Sequence, residues 1–366
     1  MTSVLHIVPG LNEQWSGIAV AAKLLAKEQG AELVEARSVN ARKVSQFDEI
    51  WVHSTWSLPV WRACHIAKSA GKKLVRMTHG NLDPVRLDYH GFKKRLAGPI
   101  ERYFLRLADV VVATCEAEKG WVADYLGNRC PRVEVMDLKR FFDLDRVEHV
   151  DTCRTCSKDE SVVFNAEKQS CREAEKDSLH LLYLGRRHPL KGVECLEAAV
   201  AELNEGSRSR ESKMNSGIGN FSNVEGLSVH CSTSTSNFDS KQIELKIVSD
   251  AFGEEKERIW DWCDVLVLPT LSENFGLVVA EALERGKRVI TTDGAPVWGN
   301  DLTRVDGREC VKDLSRVERV ERVENGEILF GYEGRLVYLK GYREGSEENR
   351  VNLLKEAIEN FATLER

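Results

Sequence analysis

The chain has no run of about eighteen apolar residues, the length that a helix needs to cross a bilayer. Its first ten residues lack the basic segment and small-residue cleavage site of a signal peptide, so they are interpreted as a β-strand ending in a loop. An excess of basic residues is also missing: the formal net charge is -6, which argues against a dedicated nucleic-acid-binding protein. These absences predict a cytoplasmic protein without a nucleic-acid partner.

Several site signatures are absent or incomplete. No Gly-x-Gly-x-x-Gly follows the first predicted strand, which disfavours a nicotinamide-dependent dehydrogenase. Cys153 and Cys156, with Cys171 nearby, have the spacing of half a zinc site, but a second Cys-x-x-Cys is missing and chance spacing is favoured. Asp143-Leu-Asp145 matches an Asp-x-Asp metal motif, but it offers too few oxygen ligands for a hard cation. We therefore expect no metal site and a metal-independent protein.

The ten cysteines are scattered, and without a secretion signal a disulfide framework is not expected. Cys64, Cys115, Cys195 and Cys263 lie in apolar or periodic stretches, where a reduced cysteine packs like a small apolar side chain.

A length of 366 residues predicts two domains. Short apolar runs alternate with helical patterns in both halves, and this alternation indicates an α/β fold with parallel sheets covered on both faces. The predicted strands are 4–8, 50–53, 73–77, 110–113, 179–184, 243–248, 265–268 and 288–292, and the predicted helices include 18–29, 92–107, 193–203, 254–262 and 275–285.

The composition also indicates where the domains end. We predict an N-terminal domain over 1–145, a polar linker over 146–177 and a C-terminal domain over 178–344, with a flexible, Ser/Asn/Gly-rich insertion over 206–240. The three-residue repeat Arg316–Glu324 is interpreted as an exposed charged helix. Residues 345–366 form an amphipathic pattern, with one apolar stripe over Val351, Leu354, Ile358 and Phe361.

The first chemically informative segment is Tyr183–Gly192. A predicted strand ends at Gly185, and Arg186 and Lys191 stand in the loop that opens the next helix. Two cations beside a helix N-terminus suit an anion such as a diphosphate. The alternative is an ordinary basic surface loop.

The second segment is Val265–Leu283. A buried strand is followed by Glu273 at the start of a predicted helix, and Glu281 lies two turns later. Gly276 allows a ligand to approach the backbone closely, and the carboxylates suit the hydroxyls of polyols. The alternative is a helix-terminal charge and a solvated helix face.

Together these segments resemble a known family. Glu273 and Glu281 bracket seven residues, as in the Glu-x7-Glu signature of retaining glycosyltransferases, and the block Ser272–Leu283 closely resembles glycosyltransferase family 4. The resemblance extends to Gly185–Gly192, His53–Pro59, Thr78–Pro84 and Ala108–Thr114. It implies a GT-B fold, with two Rossmann-like domains facing each other across a cleft and a C-terminal helix crossing back to the first domain.

The resemblance also implies roles for individual residues. Arg186 and Lys191 would bind the diphosphate of a nucleotide sugar, UDP- or GDP-linked, and Glu281 the ribose hydroxyls. Glu273 would contact the sugar, aided by backbone N–H groups. The other implied contacts are Asn274, Phe275, Gly276, Leu277, His79 near the reacting sugar, and Gly17 near the phosphates.

Two segments depart from the family pattern. The glycine-rich loop usually has two adjacent glycines, but here it reads Trp15-Ser-Gly-Ile18, and Ser16 is expected to help at the phosphates. The usual Asn-Gly turn before the linker is replaced by Glu134–Lys139.

Retention by double displacement needs a carboxylate under the sugar ring, and the sequence offers no obvious candidate. A same-face reaction is therefore favoured, in which the departing phosphate helps to deprotonate the acceptor.

The helix over 92–107 is basic and amphipathic. Leu96, Ile100, Phe104 and Leu107 form its apolar stripe, and packing on its own sheet is slightly favoured. The alternative is docking on an anionic membrane, at the inner face, where a lipid-linked acceptor would be found. Such helices have this role in some family members.

The expected reaction is hexose transfer to a glycan or glycolipid, in lipopolysaccharide or other cell-surface polysaccharide synthesis. A sugar-nucleotide epimerase on the same fold and a non-catalytic sugar-nucleotide-binding or scaffold subunit are the alternatives.

Overall fold

The computed structural model describes residues 2–11, 17–89, 91–144, 178–216, 242–249, 251–299, 317–323, 326–332 and 335–363. The predicted linker 146–177, with Cys153, Cys156 and Cys171, lies outside these residues, as do Asp145, Ser16 and the part of the predicted insertion after Ser216.

Strands and helices alternate along both halves. Up to residue 144 the elements are β1 (Val4–Val8), α1 (Gly17–Gln29), β2 (Glu32–Glu35), α2 (Ala41–Val44), β3 (Glu49–His53), α3 (Leu58–Ser69), β4 (Lys73–Met77), α4 (Pro84–Tyr89), α5 (Gly91–Arg106), β5 (Val110–Ala113), α6 (Glu116–Leu126) and β6 (Arg132–Val135). From residue 178 they are β7 (Ser178–Leu184), α7 (Val193–Ser216), β8 (Gln242–Val248), α8 (Gly253–Trp262), β9 (Val265–Leu268), α9 (Leu277–Glu284), β10 (Arg288–Thr292), α10 (Pro296–Gly299), β11 (Val317–Val323), β12 (Gly326–Gly331), β13 (Leu336–Lys340) and α11 (Glu347–Thr363).

The chain forms two compact units. Unit 1 comprises Met1–Leu144, Leu271–Glu284 and Asp293–Arg316, and unit 2 comprises Asp145–Thr270, Arg285–Thr292 and Val317–Arg366. The segment with Glu273 and Glu281 therefore belongs to unit 1 by its contacts. The domain boundaries given by the sequence stay a prediction.

Unit 1 is built on a parallel sheet with strand order β2-β1-β3-β4-β5-β6. One face packs on an apolar core that includes Ile7, Val52 and Leu74, each fully buried. The order along the chain reverses between β1 and β3, and such a switch point is where open α/β sheets bind ligands, beyond the carboxyl ends of the strands.

Local signals explain where α3 begins. The Ser57 hydroxyl accepts a hydrogen bond from Val60 N and caps α3, whose first turn also contains Pro59.

Unit 2 is built on a seven-stranded sheet with the order β11-β12-β13-β10-β9-β7-β8. Strands β7 to β10 and β13 pair in parallel, whereas β12 pairs antiparallel with both of its neighbours. The switch point of this sheet lies at β7, between β8 and β9. The α/β architecture expected from the sequence is confirmed.

One prediction in this half is wrong. The repeat Arg316–Glu324 is not a helix, because Val317–Val323 forms the edge strand β11. A β-branched valine at every third position favours extended backbone, and charged residues are well tolerated at a sheet edge. Helix α7 continues to Ser216, beyond the predicted helix end at residue 203. The bounds of the insertion stay a prediction.

The amphipathic C-terminal helix is confirmed as α11, with Val351, Leu354, Ile358 and Phe361 all buried. It belongs to unit 2, where it packs against α7 and β13. Its predicted crossing to the other domain stays a prediction.

Candidate functional site

The turn Thr78–Gly80 follows β4 at the carboxyl end of the sheet in unit 1. His79 and Gly80 both have left-handed backbone, with φ values of 54° and 68°. The buried Glu118 carboxylate accepts hydrogen bonds from the Thr78 hydroxyl (2.5 Å), Gly80 N and Thr114 N (2.7 Å). These bonds offset the cost of the left-handed turn and fix the direction of His79.

Burial controls the charge of His79. Its ring is almost completely buried, and desolvation lowers its pKa to about 3. His79 is therefore neutral at physiological pH, and its ring offers hydrogen-bonding nitrogens and no positive charge.

Ser272 begins the second motif, and polar side chains hold it against the residues that follow the His79 turn. The Ser272 hydroxyl donates to Asp83 Oδ2 and accepts from Arg86 Nε at 2.9 Å. Arg86 Nη2 also donates to the Ser272 carbonyl at 3.3 Å. These bonds tie the start of the 271–284 segment to α4.

Asn274 lies directly against the His79 turn. A Cβ added to Gly80 would approach Asn274 Cβ to 3.0 Å, so only glycine fits easily there. The Thr114 hydroxyl is 2.8 Å from Asn274 Oδ1. The structure thus brings together residues that the sequence places in two separate motifs.

Other predicted residues of unit 1 belong to the same 271–284 segment or contact it. Gly276 has a φ of 67° and precedes α9, and a Cβ on Gly17 would lie 3.5 Å from Leu277 Cδ1. The buried Phe275 ring packs against Phe142 and Trp298, with centroid distances of 5.8 and 5.4 Å.

The two glutamates differ in setting. Glu273 Oε1 accepts from Asn274 N at 3.0 Å, so one backbone N–H expected to face a sugar is bonded to the Glu273 carboxylate. Glu273 N itself donates to the Gly294 carbonyl at 2.7 Å. Glu281 is half-buried and lies within α9.

Arg186 and Lys191 lie in unit 2, in the loop from β7 to α7, at the switch point of that sheet. Arg186 is exposed and Lys191 half-buried. Gly192 has a φ of 63°, and a Cβ there would overlap the Pro269 carbonyl oxygen. The loop after β7 is therefore packed directly against the end of β9.

Sequence reasoning missed Asp83, Arg86, Glu118 and His53 as members of this region. Asp83 and His53 lie within the family segments Thr78–Pro84 and His53–Pro59, but no role was predicted for either residue. Glu118 carried a usable signal: it lies three residues after Cys115, which caps α6, and a carboxylate in a first helical turn often accepts backbone N–H bonds.

Other site predictions fall outside this region. Among the described residues, no group of three or more His, Cys, Asp and Glu side chains is arranged to hold a metal ion. The five described cysteines are free thiols, and the four predicted to pack in apolar surroundings are buried. No helix in the described part of the chain is long and apolar enough to span a bilayer.

Comparison with known proteins gives the family. Residues 9–138 match the glycosyl transferase 4-like domain, and residues 178–310 match the glycosyl transferases group 1 domain. The chain therefore belongs to the group 1 glycosyltransferases with a family 4-like first domain, as the motifs predicted, and is a member of a transferase family.

One curated relative and several solved structures are similar. An uncharacterized 41.2 kDa protein in the cps region of Klebsiella pneumoniae is 25% identical over 260 residues, which span 70% of this chain but only 63% of that protein. Anabaena HepE, in complex with UDP and glucose, is 14% identical, with a TM-score of 0.52 over 99% of this chain and 91% of HepE.

Two further solved structures have the same fold. An E. coli structure described as trehalose-6-phosphate bound with UDP-2-fluoro glucose is 12% identical, with a TM-score of 0.52 over 97% and 91% of the two chains. A UDP-forming α,α-trehalose-phosphate synthase of Burkholderia vietnamiensis is 10% identical, with a TM-score of 0.51 over 100% and 96%. At these identities the likeness shows the fold, which is the predicted GT-B class.

Proposed function

We propose that the chain is a retaining glycosyltransferase that moves a hexose-type sugar from a nucleotide-diphosphate sugar to a hydroxyl of a glycan or lipid-linked glycan. The contact between the His79–Gly80 turn and Asn274 carries this proposal, because it joins two family motifs at the carboxyl end of one sheet. Family membership supports the reaction class. The UDP complexes of structures with the same fold support a uridine diphosphate donor over a guanosine one.

Each charged residue has a proposed role. Arg186 and Lys191 bind the diphosphate, and negative charge grows there as the anomeric bond breaks, so these cations stabilise the transition state more than the ground state. Glu281 binds the ribose hydroxyls, and Glu273 binds the sugar. Gly17 and the backbone from Asn274 to Leu277 complete the contacts to the donor.

The proposed transfer takes place on one face of the sugar. The bond from the anomeric carbon to the diphosphate oxygen breaks, the bond to the acceptor oxygen forms on the same face, and the acceptor proton moves to the leaving diphosphate. No metal takes part. A trapped covalent glycosyl–protein adduct would contradict this course.

The first experiment measures thermal stabilisation by UDP, GDP, ADP and CMP. A ligand at a hundredfold excess over its dissociation constant adds about 2.7 kcal/mol to the free energy of unfolding. We expect a selective increase in Tm with UDP that Lys191→Ala abolishes. The matched control is Arg187→Ala, in the same loop, because Arg187 forms an exposed ion pair with Glu197. Its response to UDP should equal that of the native protein.

The thermal experiment, together with an activity assay, tests the alternatives. No shift with any nucleotide would favour a scaffold subunit. A UDP-dependent shift combined with interconversion of free UDP-sugars, and no transfer to an acceptor, would favour an epimerase.

For acceptors, we propose cell-surface polysaccharide or lipopolysaccharide intermediates, because Ser272–Leu283 resembles the corresponding bacterial enzymes.

A membrane contact is a second proposed property, and α5 favours it. The predicted packing of the apolar stripe on its own sheet is correct for Phe104 and Leu107 but wrong for Leu96 and Ile100. The buried face is instead formed by Gly98, Glu101 and Leu105. Phe92 and Leu96 are 79% and 67% exposed.

The charges near these exposed side chains suit an anionic surface. Lys93 and Arg95 are exposed, whereas Lys94 is half-buried and donates to the Arg86 carbonyl at 2.7 Å. Burial lowers the pKa of Lys94 to about 8. We therefore expect Phe92 and Leu96 to insert between headgroups while Lys93 and Arg95 attract anionic lipid.

Vesicle sedimentation tests this contact. The native protein should bind phosphatidylglycerol vesicles more tightly than phosphatidylcholine vesicles, and Phe92→Ser with Leu96→Ser should release it. Phe252→Ser, an exposed apolar residue of unit 2, is the control. Equal binding by all three proteins would contradict the proposal.

A further inference from the structure

Three buried histidines form a hydrogen-bonded line that ends at His79. His6 Nδ1 lies 2.8 Å from His53 Nε2, and His53 Nδ1 lies 2.9 Å from His79 Nε2. At the opposite end, His6 Nε2 lies 3.0 Å from Gln29 Oε1, at the last residue of α1. The line therefore joins a half-buried glutamine to the turn that follows β4.

Strand register explains how this line arises. His6 of β1 pairs with Trp51 of β3, and His53 lies two residues further along β3. His53 pairs with Met77 of β4, and His79 follows Met77 by two residues. Paired residues and residues two apart share a face of a sheet. The histidines thus step diagonally along one face to its carboxyl edge, across the switch point between β1 and β3.

Each ring of the line is neutral. Desolvation lowers the pKa of all three histidines, most strongly for the completely buried rings of His53 and His79. A neutral imidazole has one N–H and one bare nitrogen, so each ring donates through one nitrogen and accepts through the other. The direction of every bond is then determined by the first one.

The Gln29 carbonyl determines that first bond. Because Gln29 Oε1 only accepts, His6 must carry its proton on Nε2 and accept at Nδ1. His53 then donates from Nε2 and accepts at Nδ1, and His79 donates from Nε2. His79 Nδ1 is left as a bare acceptor, and no residue in the described part of the chain donates a hydrogen bond to it.

We propose that Gln29, His6 and His53 are positioning residues that hold His79 in the Nε2–H tautomer, so that its Nδ1 accepts a hydrogen bond from a sugar hydroxyl. The identity of the ligand rests on the proposed function. The tautomer of His79 rests only on the hydrogen bonds of Gln29, His6 and His53. A hydroxyl is the fitting partner, since a bare imidazole nitrogen would repel a phosphate oxygen.

Two substitutions at Gln29 test the relay from a distance. Gln29→Glu keeps an acceptor facing His6 and should preserve the tautomer. Gln29→Lys offers only a donor, so it should reverse all three rings and leave a proton on His79 Nδ1. Glu28→Lys is the control, because it adds positive charge to the same turn while Glu28 contacts Arg140 instead of a histidine.

Two-bond ¹H–¹⁵N spectra of histidine-labelled protein at pH 8 report the proton on each nitrogen. We expect the Nε2–H form of His79 in the native protein, in Gln29→Glu and in Glu28→Lys, and the Nδ1–H form in Gln29→Lys. A native Nδ1–H form, or a Gln29→Lys spectrum identical to the native one, would overturn the relay.

Kinetics supply the functional readout. Gln29→Lys should lower kcat about ten- to a hundredfold, as expected for one acceptor replaced by a donor, and leave the Kd for UDP within about twofold. Gln29→Glu should retain native kcat. An unchanged kcat in Gln29→Lys would overturn the positioning role. Expected spectra without transfer by the native protein would support the relay and refute the proposed function.

Discussion

A buried ion pair lies on the face of the unit 1 sheet opposite the histidines. Arg76 Nη2 donates to Glu101 Oε1 at 3.0 Å, and both side chains are fully buried. Glu101 Oε2 also accepts from Trp56 N at 2.7 Å and from Trp61 Nε1 at 2.6 Å. One carboxylate of α5 therefore holds β4, α3 and the loop between β3 and α3.

We expect Glu101→Ala to lower the free energy of unfolding of unit 1 by about 3–5 kcal/mol, because it leaves the Arg76 charge buried without its partner. Glu134→Ala removes the exposed partner of Arg132 and should cost at most about 1 kcal/mol. Urea unfolding of both variants measures the difference. Equal losses would contradict a special role for the buried pair.

Sequence alone can suggest a site residue when its position depends only on the residues next to it in the chain. Arg186, Lys191 and Gly276 could be chosen as candidates, because each lies at a strand end or helix start that the apolar pattern reveals. The partners of His79 could not, because they depend on the pairing of β1 with β3 and of β3 with β4. A single polar residue within the apolar run Val4–Val8, His6, was the one available signal.

At the level of elements, Gly192 allows the loop after β7 to meet the end of β9. Gly192 and Gly253 both belong to unit 2 and have φ values of 63° and 53°, but a Cβ on Gly253 would meet nothing within 4 Å. Left-handed backbone alone costs a non-glycine residue about 1–2 kcal/mol. The two glycines therefore separate the effect of backbone conformation from that of close packing.

We expect Gly253→Ala to lower the free energy of unfolding by about 1 kcal/mol and Gly192→Ala by about 1–3 kcal/mol more, because its Cβ overlaps the Pro269 carbonyl. UDP binding should weaken only in Gly192→Ala, since Lys191 is its neighbour. Denaturant titration and the UDP-dependent Tm shift measure the two effects. Equal stability losses would show that the loop yields to the new methyl group.

The elements differ in how well the sequence predicted them. Strands such as Val265–Leu268 are apolar throughout because they are buried on both faces, and the structure confirms their bounds. The edge strands β2 and β6 have polar residues and were missed. Strand β11 was assigned to a helix because a three-residue charge repeat matches neither period, so only its pairing with β12 defines it.

At the scale of the whole molecule, the alternating pattern predicts two α/β sheets. It does not predict which segments of the chain belong to which unit. Leu271–Glu284 follows a strand of unit 2 and yet belongs to unit 1. Its place there depends on bonds such as that from Ser272 to Asp83, which connect residues far apart in the chain. Long-range polar contacts of this kind have no periodic signal.

Acid should destabilise unit 1 because His6, His53 and His79 are buried in the neutral form. Their pKa values lie below the ordinary value of 6.5, so the unfolded chain binds more protons than the folded one as the pH falls below that value. The free energy of unfolding therefore decreases with falling pH. A completely buried histidine that stays neutral contributes about 2 kcal/mol to this loss between pH 7 and pH 5.

Hydrogen exchange in urea, followed in peptides from β1, β3 and β4, separates this effect from the unfolding of unit 2. His53→Phe keeps an aromatic ring next to His6 but removes one proton-binding group, so its stability should fall less steeply with pH by about one proton. A parallel fall in the native protein and the variant would mean that His53 is not neutral in the folded state. The tautomer inferred for His79 would then lose its physical basis. A doubly protonated imidazole donates from both nitrogens, so it does not pass the direction of the hydrogen bond at His6 on to His79.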